Sequence, residues 1–236
     1  MHPTYKYILS LLNLQKAEDN SVKVVDYGCG NGLLLSYLVK RKIKEYIGFD
    51  INKESILEAK RKYHNKNISF LLLSRNKKMF ERMKSVDLLV LIGVLQYLSE
   101  EEIDWLLLSS QKILKKKGRI IISCTPDNWP YRLFNLYRII LPNKFINKDL
   151  FIDKAKKNGF EVSACTQKGL LLAPLFSNII VIFFDFMDKL VFKTKGKLGP
   201  VGIVSRKVIN PLLMLEYLLP INYGYTMFVE LQKNEK

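Results

Sequence analysis

Residues 24–32 read Val-Val-Asp-Tyr-Gly-Cys-Gly-Asn-Gly, an apolar run closed by an acid and three glycines at alternate positions. Few backbone arrangements use such a segment. Val22 to Val25 have the composition of a buried strand, and Leu33 to Val39 carry the apolar content of a helix that follows at once. A strand that enters a helix through a glycine turn is how doubly wound sheets bring backbone N–H groups close to a ligand. The spacing narrows the ligand. A dinucleotide turn requires G-x-G-x-x-G, whereas position 33 is Leu33 and the third glycine arrives early, at Gly32. Asp26, two residues before Gly28, would repel a phosphate but attract an amino group, directly or through water. Glu45 to Phe49 form a second short apolar strand that ends in Asp50, a carboxylate able to accept two charge-assisted hydrogen bonds from a ribose. The competing reading of Asp50-Ile51-Asn52 is a simple cap for a helix starting near Lys53.

The acid-x-Gly-x-Gly-x-Gly pattern of Asp26, Gly28, Gly30 and Gly32, followed by Asp50, resembles the cofactor segment of class I S-adenosylmethionine (SAM)-dependent methyltransferases. The resemblance implies SAM as cofactor. It assigns to its site Asp26, Tyr27, Gly28, Gly30, Asn31 and Gly32 around the turn, Asp50 and Ile51 after the second strand, Ser74 after the third, and Ile92 and Gly93 after the fourth. Ile92 and Gly93 match positions whose backbone borders the methionine part of the cofactor. Two departures stand out. Ser74-Arg75 occupies a place where many relatives carry an acid near the adenine amino group, although Ser74 can still accept a hydrogen bond. In the branch that methylates quinone-precursor catechols, a metal is held by acids at the positions of Gly93 and Gln96 and a histidine at Tyr97. Gly, Gln and Tyr supply no carboxylate or imidazole, so no metal is expected.

Beyond the turn, helix and strand patterns alternate. An amphipathic helix from about Thr4 to Gln15 leads in; strands at 22–26, 45–50, 68–73, 86–92 and 118–124 are separated by helices at 32–41, 53–63, around 77–83, and at 100–115. Such alternation predicts an α/β fold, a doubly wound and mostly parallel sheet with helices on both faces. Helical residues Tyr131 to Leu141 and Lys148 to Asn158 follow, with Gly159 as a stop before a strand at 160–166 and a last strand at 225–231. The resemblance makes these two an antiparallel pair completing a seven-stranded, Rossmann-like methyltransferase sheet. Their connection is too long to be structureless and reads as a helical insertion. The expected organisation is a lead-in helix (1–20), a core (21–167 with 224–236) and the insertion (168–223).

Composition sets limits on partners. With 236 residues, 48% of them hydrophobic, the chain can bury the core of one domain. Cys29, Cys124 and Cys165 are widely spaced and odd in number, which favours a reducing cytoplasm over a disulfide framework. Met1 to Gln15 lack the organisation of a secretion signal. A net charge of +16 is either a solvated lysine surface or an attraction to a polyanion, nucleic acid or anionic lipid. The insertion is the most apolar part. Leu170 to Phe184 and Val208 to Ile221 both fall short of the roughly 20 residues needed to span a bilayer. They read as a cap that encloses a hydrophobic pocket, or as an interfacial helix pair with Lys189, Lys193, Lys195, Lys197, Arg206 and Lys207 on anionic head groups. A homodimer interface would use the same surface.

Methyl transfer needs orientation more than covalent chemistry from a protein, and a base only where the acceptor is weakly acidic. Tyr97 and Asp127 are the candidate catalytic groups, with His2, Tyr5 and Tyr7 as lid contributors; Trp129 suits stacking on a substrate or anchoring in a membrane interface. His64 ends a helix on the wrong side and reads as exposed. The function expected is SAM-dependent methylation, at oxygen, of a hydrophobic or lipid-linked small molecule on the inner face of the membrane. The alternatives are an RNA methyltransferase, favoured by charge but lacking an RNA-binding module, and a SAM-binding partner subunit without activity.

Overall fold

Short apolar runs and amphipathic stretches assemble into one seven-stranded sheet of order β3-β2-β1-β4-β5-β7-β6. The computed structural model describes residues 2–12, 22–39, 43–128, 132, 144–169, 186 and 200–234. Along the chain these form α1 (Pro3–Leu12), β1 (Lys23–Tyr27), α2 (Leu33–Leu38), β2 (Glu45–Asp50), α3 (Lys53–Lys62), β3 (Ile68–Leu72) and α4 (Leu73–Arg82). Then come β4 (Val86–Ile92), a 3-10 turn (Leu95–Tyr97), α5 (Glu100–Ile113), β5 (Leu114–Cys124), α6 (Lys148–Lys157), β6 (Phe160–Lys168), α7 (Pro200–Leu218) and β7 (Thr226–Lys233). The first five strands are parallel, and β7 runs antiparallel between β5 and β6. Strand order reverses at β1, which lies between β2 and β4, so the crevice beyond their carboxyl ends is the fold's natural ligand position.

Central strands are buried on both faces, as their unbroken apolar runs require. One face packs Val25, Tyr27, Phe49 and Leu89 against Phe80, Ile103, Leu106 and Phe151. The other packs Val24, Tyr46, Leu88 and Phe228 against Ile8, Leu35, Ile56, Leu213 and Tyr217. The lead-in helix α1 is fixed to the second face by Ile8 and Leu12 and at its end by Arg119. That guanidinium donates to the carbonyls of Leu11 (3.3 Å) and Leu12 (2.9 Å), the last two described residues of the helix, and pairs with Glu230 at 2.7 Å.

Two boundaries differ from expectation, and the expected end of the first helix lies outside the described residues. Helix α4 starts directly after β3, at Leu73, because Leu73 and Phe80, two turns apart on one helix face, both pack on the core. Strand β5 begins at Leu114 and contains a local excursion at Lys117, whose φ is 62°, before regular pairing resumes at Arg119. Helix α1 is described only to Leu12. The helices expected at 131–141 and within 170–184 lie outside the described residues, whereas α7 does fall between β6 and β7.

Candidate functional site

The first turn is held open from below. Gly28 and Cys29 donate their N–H groups to the Phe49 carbonyl at 2.7 and 2.9 Å, and Gly30 donates to Asp50 Oδ2 at 2.7 Å. Gly28 has φ +80°, and a Cβ there would lie 2.3 Å from Val94 Cγ2, so no side chain fits. Gly30 has φ +53°, but an added Cβ would meet nothing within 4 Å. The space over Gly30 is therefore open, and its positive φ alone favours glycine there. Asp50 is more than a helix cap. Its Oδ1 accepts from the Asn52 N–H at 2.8 Å, while Asn52 itself caps α3 by accepting from Glu54 and Ser55. Each Asp50 oxygen thus receives one backbone bond and keeps a lone pair for a ligand hydroxyl. Beside it Ile51 is 76% exposed, an apolar side chain left over for a flat ligand surface.

The remaining positions spread around that edge. Asn31 Nδ2 donates to Glu58 at 3.1 Å. The Tyr27 ring points to the opposite core, in edge contact with Phe80 at 5.4 Å, so only its backbone faces the turn. Ser74 is exposed in the first turn of α4. Ile92 is half-buried, and Gly93, with φ +66°, ties its N–H to the Ser123 carbonyl at 2.8 Å.

Asp26 is 2% exposed and accepts a 2.5 Å hydrogen bond from the Tyr46 hydroxyl. Burial pushes its carboxyl up to about 7; the Tyr46 bond opposes this and the nearby Asp50 charge adds to it. The same pocket raises Tyr5 on α1, through burial and then the Asp26 charge, and raises the Cys29 thiol through burial, Asp26 and Asp50. Cys29 therefore stays a protonated packing group. Tyr5 rests on Tyr37, ring centroids 5.3 Å apart. Sequence reasoning missed Tyr46. The available signal was parity: Val24 pairs with Tyr46 and Asp26 with Gly48, so Tyr46 and Asp26 share a sheet face one step apart.

At the carboxyl ends of β4 and β5 the chain folds back on itself. Lys144 N–H donates to the Gln96 carbonyl (2.8 Å), Ile146 N–H to Thr125 (2.9 Å), and Asp127 N–H to Ile146 (2.9 Å). Tyr97 is 52% exposed there. Asp127 Oδ1 and Oδ2 accept from Arg132 at 2.7 and 2.9 Å. This pairs the carboxylate with an exposed guanidinium in a bidentate ion pair. Gln96, read in the sequence only as a replaced metal-ligand position, is 8% exposed, and its Oε1 has no partner among the described residues. Of the three lid candidates, Tyr5 is near enough to feel the charge of the first-turn acid, Tyr7 bonds Thr166 at 3.0 Å, and His2 accepts from the Thr4 N–H at 3.3 Å. His64 is exposed; Trp129 lies outside the described residues. Among the described residues no group of three or more His, Cys, Asp or Glu is placed to hold a metal ion.

Residues 24–118 match a family model described as a methyltransferase domain. No curated protein matches the sequence. The fold is similar to that of a protein from Galdieria sulphuraria assigned as a sarcosine dimethylglycine methyltransferase: TM-score 0.69, 11% identity, covering 99% of this chain and 86% of that one. It is also similar to the cyclopropane synthase MmaA2 of Mycobacterium tuberculosis (TM-score 0.61, 14% identity, 96% and 84% covered). A third likeness is to the geranyl diphosphate C-methyltransferase of Streptomyces coelicolor A3(2), solved with Mg2+, geranyl diphosphate and S-adenosylhomocysteine (TM-score 0.60, 9% identity, 99% and 80% covered). At these identities the likeness is one of fold.

Proposed function

We propose that this chain, which carries a class I SAM-dependent methyltransferase domain and uses SAM as its cofactor, methylates an oxygen of a hydrophobic or lipid-linked small molecule at a membrane surface. The residues present fit the cofactor. The vacant space over Gly30 admits a ligand backbone, and the two spare lone pairs of Asp50 suit the ribose hydroxyls. Asp26 would meet the amino group, Ile51 and Ser74 the adenine, and the backbone of Tyr27, Gly28, Asn31, Gly32, Ile92 and Gly93 the methionine portion. SAM supplies a methyl group already activated on a positively charged sulfur. The chain's share is to bring an acceptor oxygen into line and to keep water out, which supports most of the acceleration in such reactions. Asp127, paired to Arg132, and the exposed Tyr97 are the polar groups proposed for the acceptor side.

The observation that carries the lipid reading is the outward face of α7. Its inward side buries Ile209, Leu213 and Tyr217. Its outward side exposes Val208 (61%), Leu212 (42%), Leu215 (64%), Leu218 (67%) and Leu219 (45%), a continuous stripe at helical spacing. A helix apolar on both faces is unusual on a water-facing surface. Lys207 is exposed at the same helix, and the chain's net charge is +16. No helix of the described residues is long and apolar enough to cross a membrane, so the stripe suits a helix lying in the interface. It also connects to the site: Tyr217 on α7 meets Thr4 of α1 at 3.4 Å, and the next residue of α1, Tyr5, is near enough to feel the Asp26 charge. Geranyl diphosphate, the ligand of one similar structure, joins an apolar chain to an anion, and an acceptor of that kind would suit this surface.

Flotation with phosphatidylcholine vesicles containing phosphatidylglycerol tests the reading. The protein should float with anionic vesicles, and Leu212→Asn/Leu215→Asn/Leu218→Asn should remain in the dense fraction. Retention on heparin with no vesicle binding would instead support the RNA alternative.

A further inference from the structure

The carboxyl that meets the amino group is held in an environment that opposes its charge. Five described side chains with titratable groups act on Asp26 or on its partner from the elements around it. These are Tyr5 from α1, Cys29 from the turn, Tyr46 from within β2, Asp50 from its end and Tyr63 just after α3. None is a cation. Three are phenols, one is a thiol and the fifth is another acid. A buried carboxylate in such company reverts to its neutral form unless a donor satisfies it. Tyr46 is that donor, fully buried, with its hydroxyl 2.5 Å from Asp26 Oδ2 and its ring fixed against Phe70 at 5.7 Å. A rigid phenol with one strong acceptor has little freedom to point elsewhere.

We propose that Tyr46 is a positioning residue for cofactor capture: by donating to Oδ2 it favours the ionised form of Asp26 and leaves Oδ1 to meet the ammonium group of SAM or of its demethylated product. The proposal rests on the reading of Asp26 given above. Its chemical consequence is linkage. An ammonium ligand binds the ionised acid, so binding near neutral pH releases the proton that part of the free protein still carries. Without the Tyr46 hydroxyl the acid holds that proton to higher pH, and the affinity profile moves with it.

Calorimetric titration with S-adenosylhomocysteine between pH 5.5 and 8.5 decides the matter. The ligand's own amino group stays largely protonated over this range. The unmodified protein should bind more tightly as pH rises towards a plateau, and in buffers of differing ionisation heat it should release a proton on binding at pH 7. Tyr46→Phe retains the ring; it should bind about tenfold more weakly at pH 7 and approach the parent at pH 8.5. Asp50→Asn should weaken binding by a similar factor at every pH. An offset for Tyr46→Phe that is the same at all pH values, or no offset, would overturn the positioning role. Asp26→Asn separates the two ideas: weaker binding there with an unmoved Tyr46→Phe profile sinks only the Tyr46 role, whereas unchanged binding sinks the Asp26 reading beneath it. Proton release needs no variant, so its absence in the parent protein contradicts the proposal even if Tyr46→Phe fails to fold.

Discussion

Replacing Gly30 by alanine separates a turn built for a ligand from one built only for packing. The added methyl has no atom within 4 Å, so the folded protein meets no overlap. What remains is backbone strain. A left-handed residue with a Cβ costs about 1–2 kcal/mol. Loss of glycine's freedom in the unfolded chain offsets roughly 0.4–1 kcal/mol of that. The net loss should be about 1 kcal/mol. Gly28→Ala carries the same kind of strain at φ +80° and adds the 2.3 Å approach to Val94 Cγ2, an overpacking cost of about 1–3 kcal/mol more. Adding Val94→Ala should recover that second part and leave the first. Urea denaturation of the two single variants and the double variant measures the stability side, and calorimetry with S-adenosylhomocysteine the ligand side. Gly30→Ala should be the more stable of the two and yet lose affinity about 100-fold or more, since its methyl stands where the ligand approaches. Gly30→Ala that binds as tightly as the parent, or that unfolds as readily as Gly28→Ala, would refute the reasoning.

Further tests use other parts of the fold. The Asp26 carboxyl sits at about 7 when folded against 3.8 as its ordinary value; its contribution to stability is therefore present below pH 4 and lost as pH rises through 7. Asp26→Asn should thus melt near the parent at pH 4 and several degrees above it at pH 8 in thermal scans without ligand. Arg119→Met should cost about 1–3 kcal/mol in urea, because the Leu11 and Leu12 carbonyls and the Glu230 carboxylate lose their shared donor. Hydrogen exchange of that variant should rise first in α1. On α7, Leu213→Ala should destabilise by about 2–5 kcal/mol, whereas Leu215→Asn should leave the melting temperature within a degree or two while weakening vesicle binding; Leu213 is 4% exposed and Leu215 64%.

The sheet was legible because its strands are short, apolar and buried on both sides, with glycine or polar residues marking their ends. Asp50 was legible as a residue type at a strand end, but its division of labour with Asn52 was not, since both are good caps and only the geometry assigns the α3 cap to Asn52. Helix α4 was placed late because Ser74, Arg75, Asn76 and two lysines read as a polar break, while the pull of Leu73 and Phe80 on the core is a tertiary effect. The ion pair of Asp127 was not legible, because Arg132, five residues on, gives no sequence sign that it will turn back upon it. Tyr46 was hidden for a different reason. A tyrosine within a buried strand is ordinary core, and its hydroxyl acquires meaning only once the neighbouring strand sets Asp26 beside it.

The most direct trial gives the protein methyl-labelled SAM together with vesicles made from a host lipid extract, then separates organic from aqueous products for mass spectrometry. The expected outcome is an organic-phase species heavier by one labelled methyl, absent with Asp50→Asn and reduced with the triple asparagine variant of α7. Label confined to water-soluble metabolites or to added RNA, with nothing in the organic phase, would contradict a lipid-surface acceptor.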